Sequence, residues 1–288
     1  MNTETSRASR ATRRAYLETS ALDAVVKQEM SVSHIRSQLE TRGLTACVGT
    51  LTLNECAQPI LSNEGGITRA LFEVIRDLQP RFLADPADLY EQETRLLRCG
   101  TAVSPHPSAG QEDFERSEVD ELAGGRINLR LLECLRYRRK AKFEEWRSHW
   151  TRYLVGVNEL RQGSPKDVPR FRSFEQFEAF FRPDLVSRVA GLPGLSLDLE
   201  EAGVIADAID RYPAIRTSVY YWWNAEFICL AHGCVPSVDK VDDYRHVVEA
   251  SYCDVFVSND GQLLRSVSRL HPTLAPLAVD ALVGSASP

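Results

Sequence analysis

Residues 253–264 have the sequence CDVFVSNDGQLL, in which an apolar run ends in a small polar residue and an acid. The run Val255–Val257 predicts a buried strand, and the stretch from Asp260 to Leu270 predicts the helix that follows it. A carboxylate at the carboxyl end of a parallel strand faces the crevice in which open α/β sheets bind ligands. Asp260 is therefore a candidate site residue in an α/β fold.

Three more acids lie in similar surroundings, far from Asp260 in the chain. Glu18 follows an apolar pair in AYLETSAL, Glu55 lies in VGTLTLNECA, and Asp243 lies in KVDDYRHVVEA. Carboxylates gathered at one sheet edge repel one another, and a hard divalent cation is the usual means of holding them at neutral pH. The pattern therefore indicates Mg²⁺ or Mn²⁺ chemistry on phosphate.

These segments resemble the motifs of the PIN domain, a metal-dependent nuclease fold found in bacterial toxins of toxin–antitoxin pairs and in RNA-processing enzymes. The first motif corresponds to Leu17-Glu18-Thr19-Ser20, with Glu18 in place of the usual Asp. Leu53-Asn54-Glu55 fits the second, and Asp243 or its neighbour Asp242 fits the third. Ser258-Asn259-Asp260 fits the fourth. The resemblance covers roughly residues 14–60 and 235–268 and leaves the long middle of the chain unexplained.

The resemblance implies a PIN-like three-layer α/β/α fold with a central, mostly parallel sheet. It implies Glu18, Asp243 and Asp260 as metal ligands, with Glu55 as a further catalytic acid. The residues expected to support them are Ser20, Asp242, His246 and Ser258. A simpler alternative holds for each: Glu18 and Asp260 could cap the helices that follow them, Glu55 could face solvent, and His246 could be a packed core residue.

The charge distribution favours a nucleic-acid substrate. The chain has a net charge of −6, but residues 126–152 contain nine Lys or Arg against three Glu, which gives +6 there and −12 elsewhere. A local basic segment can steer phosphates to a site. The residues predicted to contact nucleic acid are Arg136, Arg138, Arg139, Lys140 and Lys142. The alternative is a solvated helix face without function.

The chain organisation indicates one domain with a helical insertion. We expect residues 1–14 to be a disordered basic tail and residues 15–288 to form a single PIN-like domain, in which 100–230 is a mainly helical insertion. One helix is predicted over 21–41 and a long basic helix over 126–160. The sequence has no apolar run of about 20 residues, and its seven cysteines lack regular spacing, which favours reduced thiols and a cytoplasmic protein.

The expected function is a metal-dependent endonuclease, specifically a ribonuclease of toxin or defence type. Its expected partners are RNA or single-stranded DNA as substrate, an antitoxin or other protein, and further copies of the chain; no membrane partner is expected. The alternative is a catalytically weak PIN-like module that binds RNA or a protein without cutting. Glu18 keeps this alternative open, because its side chain is one methylene longer than the family's Asp and Mg²⁺ demands near-octahedral geometry.

Overall fold

The computed structural model describes residues 13–127, 129–163, 170–233 and 238–284 of the 288-residue chain. Its centre is one sheet of five parallel strands in the order β3-β2-β1-β4-β5. The strands are β1 (Arg13–Leu17), β2 (Leu44–Val48), β3 (Arg81–Phe82), β4 (Val255–Ser258) and β5 (Ala275–Ala278). Strands from the two ends of the chain therefore lie side by side, since β1 pairs with β4 at Tyr16 and Phe256.

Helices cover the sheet and fill the long middle of the chain. In chain order they are α1 (Thr19–Lys27), α2 (Val32–Thr41), α3 (Thr50–Ala57), α4 (Gly65–Leu78), α5 (Pro86–Cys99), α6 (Ala109–Ala123), α7 (Leu129–Gly163), α8 (Phe174–Phe181), α9 (Leu185–Ala190), α10 (Leu199–Asp207), α11 (Pro213–His232), α12 (Val238–Glu249), α13 (Gly261–Leu270) and α14 (Val279–Val283). Among the described residues, none of these helices combines the length and the apolar content that a membrane span requires.

Side chains that alternate along the strands contribute to two hydrophobic cores, one on each face of the sheet. Tyr16 and Phe256 point into a core shared with α11, whereas Leu17 and Val257 point into a core shared with α1, α2 and α4. Successive side chains of a strand face opposite sides, so this division follows from the strand geometry. The predicted three-layer α/β/α fold with a parallel sheet is confirmed.

The amino-terminal region differs from its prediction in two details. β1 begins at Arg13, two residues before the expected strand start, and residues 1–12 of the predicted tail lie outside the described residues. The single helix predicted over 21–41 is wrong, because the chain forms α1 and α2 instead. The break lies at Glu29, which has a φ of 50°, and Met30 N–H donates back to the Val25 carbonyl at 3.0 Å. A left-handed residue in this position ends a helix.

The middle of the chain is helical, as predicted, although its role as an insertion stays a prediction. Every regular element described between β3 and β4 is a helix. The aromatic run at 220–223 lies in α11, where Tyr220, Tyr221 and Trp223 are buried. These rings belong to the core that faces Tyr16, so they stabilise the fold rather than offer a surface for stacked bases.

Candidate metal centre

The carboxyl ends of β1 and β4 bring the first and last of the predicted acids together. Glu18 directly follows β1, and its backbone N–H donates to the Val257 carbonyl of β4 at 3.0 Å. Asp260 comes two residues after β4. Because the two strands are parallel neighbours, both acids lie at the same edge of the sheet.

Each of these acids caps the helix that follows it. The Glu18 side chain is buried, with 5% of its surface exposed, and accepts from the Ser20 N–H at 2.9 Å. Asp260 Oδ1 accepts from the N–H groups of Gln262 at 2.6 Å and Leu263 at 3.0 Å. Helix amino termini stabilise carboxylates through these donors and the helix dipole. Capping, which the sequence left open, is thus present in both places, and it holds both side chains at the sheet edge.

Two serine hydroxyls connect the caps across the strands. Ser258 Oγ donates to Glu18 Oε2 at 2.8 Å and accepts from the Asp260 N–H at 2.9 Å. Ser20 Oγ also donates to Glu18 Oε2, and it accepts from the Asn259 N–H at 2.9 Å. The structure therefore places Ser20 and Ser258 beside the acids, where the sequence predicts supporting residues.

Glu55 is held by a hydroxyl and by a buried histidine. Thr19 Oγ1 donates to Glu55 Oε2 at 2.6 Å, and His246 Nε2 lies 2.9 Å from the same oxygen. His246 is completely buried. Burial alone would lower the pKa of His246, but the carboxylate of Glu55, with smaller contributions from Glu18 and Glu249, raises it to about 9. The raised pKa favours the imidazolium form of His246, in which Nε2–H donates to Glu55.

A tyrosine extends this contact to a second buried acid. The Tyr16 hydroxyl lies 2.6 Å from His246 Nδ1 and donates to Glu249 Oε2 at 2.8 Å. Glu249 Oε1 accepts from the Leu51 N–H at 2.8 Å. We call Glu55, His246, Tyr16 and Glu249 the inner chain, because each contacts the next. Sequence reasoning missed Tyr16 and Glu249, although Glu249 lies three residues after His246 and hence on the same face of α12.

Asp243 lies one helical turn before His246 and is half-buried. Burial raises its pKa, the charges of Glu18, Asp260 and Glu55 raise it further, and His246 offsets part of this, so that the pKa of Asp243 is about 7. The other three predicted acids therefore all lie near enough to Asp243 to act on its charge. The side chain of Asp242, the other predicted acid of this segment, lies outside the described residues.

The most closely grouped metal donors differ from the predicted ligand set. Glu18, Glu55 and His246 each offer one atom, and these atoms lie within 4.8 Å of one another. Asp243 and Asp260 lie outside this trio, so their role as direct ligands stays a prediction. Carboxylate oxygens are the donor type that Mg²⁺ and Mn²⁺ prefer, and three acidic charges act on Asp243 beside this trio. His246 would have to lose its proton before it could bind a metal.

The predicted nucleic-acid contacts lie on α7, the long helix expected from the sequence. Arg136 is exposed, whereas the side chains of Arg138, Arg139, Lys140 and Lys142 lie outside the described residues. α7 packs against α12, the helix that carries Asp243 and His246. The basic segment thus belongs to a helix that adjoins the site, but the direction of its side chains stays a prediction.

No protein-family model, curated protein or solved structure matches this chain. Because a fold hosts many unrelated activities, function must be inferred from the geometry and charge of the site itself.

Proposed function

We propose that the chain is a metal-dependent nuclease that hydrolyses phosphodiester bonds with water activated by Mg²⁺ or Mn²⁺. The observation that carries the proposal is the grouping of Glu18, Glu55 and Asp260 near Asp243 at the carboxyl edge of a parallel sheet, where burial and then the charges of these three acids raise the pKa of Asp243 to about 7. Carboxylates that repel one another at this edge would be stabilised by a hard cation. A bound divalent cation would supply an activated water and stabilise charge on the phosphate.

The chain's own residues would hold and orient the reacting groups. Glu18, Glu55 and Asp243 would hold the cation, with Asp260 beside them. Ser20 and Ser258 fix the Glu18 carboxylate through their hydroxyls. His246 donates to Glu55 and so keeps one carboxylate oxygen at a fixed position. Groups fixed in this way need little rearrangement during the reaction, which favours catalysis.

The proposed substrate is RNA, with single-stranded DNA as the nearest alternative, in a toxin or defence role. The support is the segment 126–152, which carries +6 in a chain of net charge −6. Most of this segment lies on α7, next to the helix that carries Asp243. Such a segment would raise the local concentration of a polyanion beside the acids.

A second function, a module that binds RNA or a protein without cutting, is favoured by a separate observation. The Glu18 carboxylate already accepts from the Ser20 N–H and from two serine hydroxyls. The proton on His246 also neutralises part of the negative charge that would attract a cation. Both features stabilise the site without a metal, and a site of this kind could fail to activate water.

Cleavage assays separate the two functions. Labelled single-stranded RNA and DNA would be incubated with the protein in Mg²⁺, in Mn²⁺ and in EDTA. We expect metal-dependent cleavage by the parent and loss of cleavage by Asp243→Asn, whereas Asp120→Asn, a change at an exposed acid of α6, leaves cleavage unchanged. Binding of RNA without cleavage under any condition would support the non-cutting module and contradict the nuclease.

A further inference from the structure

A cavity of about 650 Å³ lies beside the carboxyl ends of β2 and β3, and its described lining residues include none of the acids proposed to hold the cation. Leu83, the residue after β3, and Thr50, the first residue of α3, form part of its wall. The rest comes from α5, from the start of α6 and from the loop between them. Cavities of this size hold small organic molecules.

The charged side chains of the cavity wall are mostly acids. Asp85, Asp88, Glu91 and Glu115 line it, and among the described lining residues Arg95 is the only Lys or Arg. Arg95 is paired with Glu91 at the rim. Partial burial, followed by the charges of Asp85 and Glu91, raises the pKa of Asp88 at the rim, so these acids lie close enough to act on one another. A cation would be attracted there and a nucleic acid repelled.

A second and independent observation is the hydrogen bonding of Glu115, one of the acids in the cavity wall. It is almost fully buried, with 4% of its surface exposed, and Oε1 accepts from Gln111 Nε2 at 3.1 Å. Glu115 Oε2 is also buried, and within the described part of the chain it has no hydrogen-bond partner. A buried carboxylate oxygen without a donor is costly, and folded proteins rarely leave one unpaired. Burial raises the pKa of Glu115 to about 7, as expected for an acid without a cationic partner.

We propose that this cavity binds a small organic cation with two ammonium or guanidinium groups. One group would displace the exposed Gln111 side chain and donate to Glu115, and the other would lie near Asp88 and Glu91 at the rim. An ammonium has three donors and a guanidinium has five, which suits separated carboxylates. A single metal ion suits them less, since the described residues converge as metal donors only at Glu18, Glu55 and His246.

Calorimetric titration of the full chain in EDTA, without nucleic acid, tests the proposal independently of the nuclease. The ligands are 1,4-diaminobutane, spermidine and, as a neutral analogue, 1,4-butanediol. We expect the amines to bind and the diol not to bind. Glu115→Gln keeps the size of the side chain but removes its charge, and it should weaken amine binding by about tenfold or more, which corresponds to about 1.4 kcal/mol.

Two further variants control for the loss of charge and for a loss of stability. Asp120→Asn removes the same charge from an exposed position of the same helix and should leave amine binding unchanged. Glu91→Gln changes an exposed rim residue, so it should weaken binding without affecting folding, even if Glu115→Gln is unstable. Equal binding by the parent, Glu91→Gln and Glu115→Gln, or no binding of either amine, would overturn the proposal. Tighter binding of a blocked dilysine peptide than of either free amine would overturn the assignment to a small molecule.

Discussion

Two groups of acids at the same edge of the sheet are stabilised in different ways. Glu18 and Asp260, which we call the outer pair, accept from backbone N–H groups and serine hydroxyls at the starts of α1 and α13. In the inner chain, Glu55 accepts from His246 and Glu249 accepts from Tyr16. The outer pair is stabilised by neutral donors, and the inner chain depends on a proton held by His246.

The two groups of acids therefore serve different purposes: the outer pair keeps negative charge available for a cation, and the inner chain contributes to the stability of the fold. Neutral donors hold the outer pair in place without cancelling its charge, so these acids remain able to attract a cation. The inner chain is a set of charged and polar groups, most of them buried, in which the loss of one member removes a hydrogen-bond partner from its neighbours. Changes to the outer pair should therefore affect activity most, and changes to Tyr16 and Glu249, the part of the inner chain farthest from the proposed ligands, should affect stability most.

The largest expected effect is on activity, at Glu18. Glu18→Gln keeps a side-chain oxygen that can cap α1 but removes the charge, and we expect cleavage to fall by about 10²–10³-fold, the range for losing one group that stabilises the transition state. Glu18→Asp introduces the residue usual in the PIN motif that this segment resembles, and it should retain activity, with a higher Mg²⁺/Mn²⁺ activity ratio than the parent. The measurement is the cleavage rate with each metal. Equal rates for the parent and both variants would mean that Glu18 serves only as a helix cap.

The second-largest effect is expected on the free energy of unfolding, at Gly49, whose backbone lies against Glu249 of the inner chain. A Cβ atom on Gly49 would lie 1.9 Å from Glu249 Oε2, and this oxygen is fixed by Tyr16. We expect Gly49→Ala to lower the free energy of unfolding by about 3 kcal/mol, at the upper end of the usual range for overpacking. The measurement is urea denaturation. Gly156→Ala is the matched control: its Cβ meets nothing within 4 Å, and in a helix interior it should stabilise by about 1 kcal/mol.

Local patterns predicted the elements that carry the outer pair. β1 and β4 are apolar runs that end in an acid, and the local sequence shows both the run and the acid. The edge strands were not predicted, because β3 has only two residues and β5 contains Pro276, which is typical of a sheet edge. For such strands, tertiary pairing supplies the information that the local sequence lacks.

The inner chain was only partly predictable, for a different reason. His246 was recognised as a supporting residue, but its contact with Glu55 joins positions 191 residues apart, and that of Tyr16 with Glu249 joins positions 233 apart. A tyrosine in an apolar strand usually indicates core packing, and Glu249 has no acid motif around it. Only the parallel pairing of β1 with β4 and the return of α12 bring these residues together.

A smaller effect on stability is expected at Tyr16. Tyr16→Phe retains the buried ring but removes the hydroxyl between His246 and Glu249, which leaves both with one fewer partner. We expect the free energy of unfolding to fall by about 2 kcal/mol, within the range for an unsatisfied buried polar group. Tyr137→Phe, at a side chain that is 74% exposed, should change stability by less than about 0.5 kcal/mol. Similar values for the two variants in urea denaturation would contradict the inner chain as a stabilising unit.

The smallest expected effect is the pH dependence of stability, to which His246 of the inner chain and Asp243, which lies beside the outer pair and acts with it electrostatically, both contribute. The pKa of His246 is raised from 6.5 to about 9, so its stabilising contribution is complete below pH 6.5 and is lost as the pH rises through 9. The pKa of Asp243 is raised from 3.8 to about 7, so the folded protein binds more protons than the unfolded chain between these values, and stability falls there as the pH rises. Both shifts have the same sign, and the metal-free protein should be less stable at pH 8 than at pH 6.

Mn²⁺ should oppose the part of this loss that comes from Asp243, because a bound cation favours the ionised carboxylate. The rise in unfolding temperature on adding Mn²⁺ should therefore be larger at pH 8 than at pH 6. The contribution of Asp243 to the free energy of unfolding should change by less than about 1.4 kcal/mol per pH unit, since solvent screens a half-exposed carboxyl group. Asp243→Asn should abolish the pH dependence of the Mn²⁺ effect, whereas His246→Gln should mainly flatten the metal-free profile above pH 6.5. If Mn²⁺ stabilises the parent and Asp243→Asn equally at both pH values, the cation binds elsewhere, and Asp243 belongs with the inner chain as a structural acid.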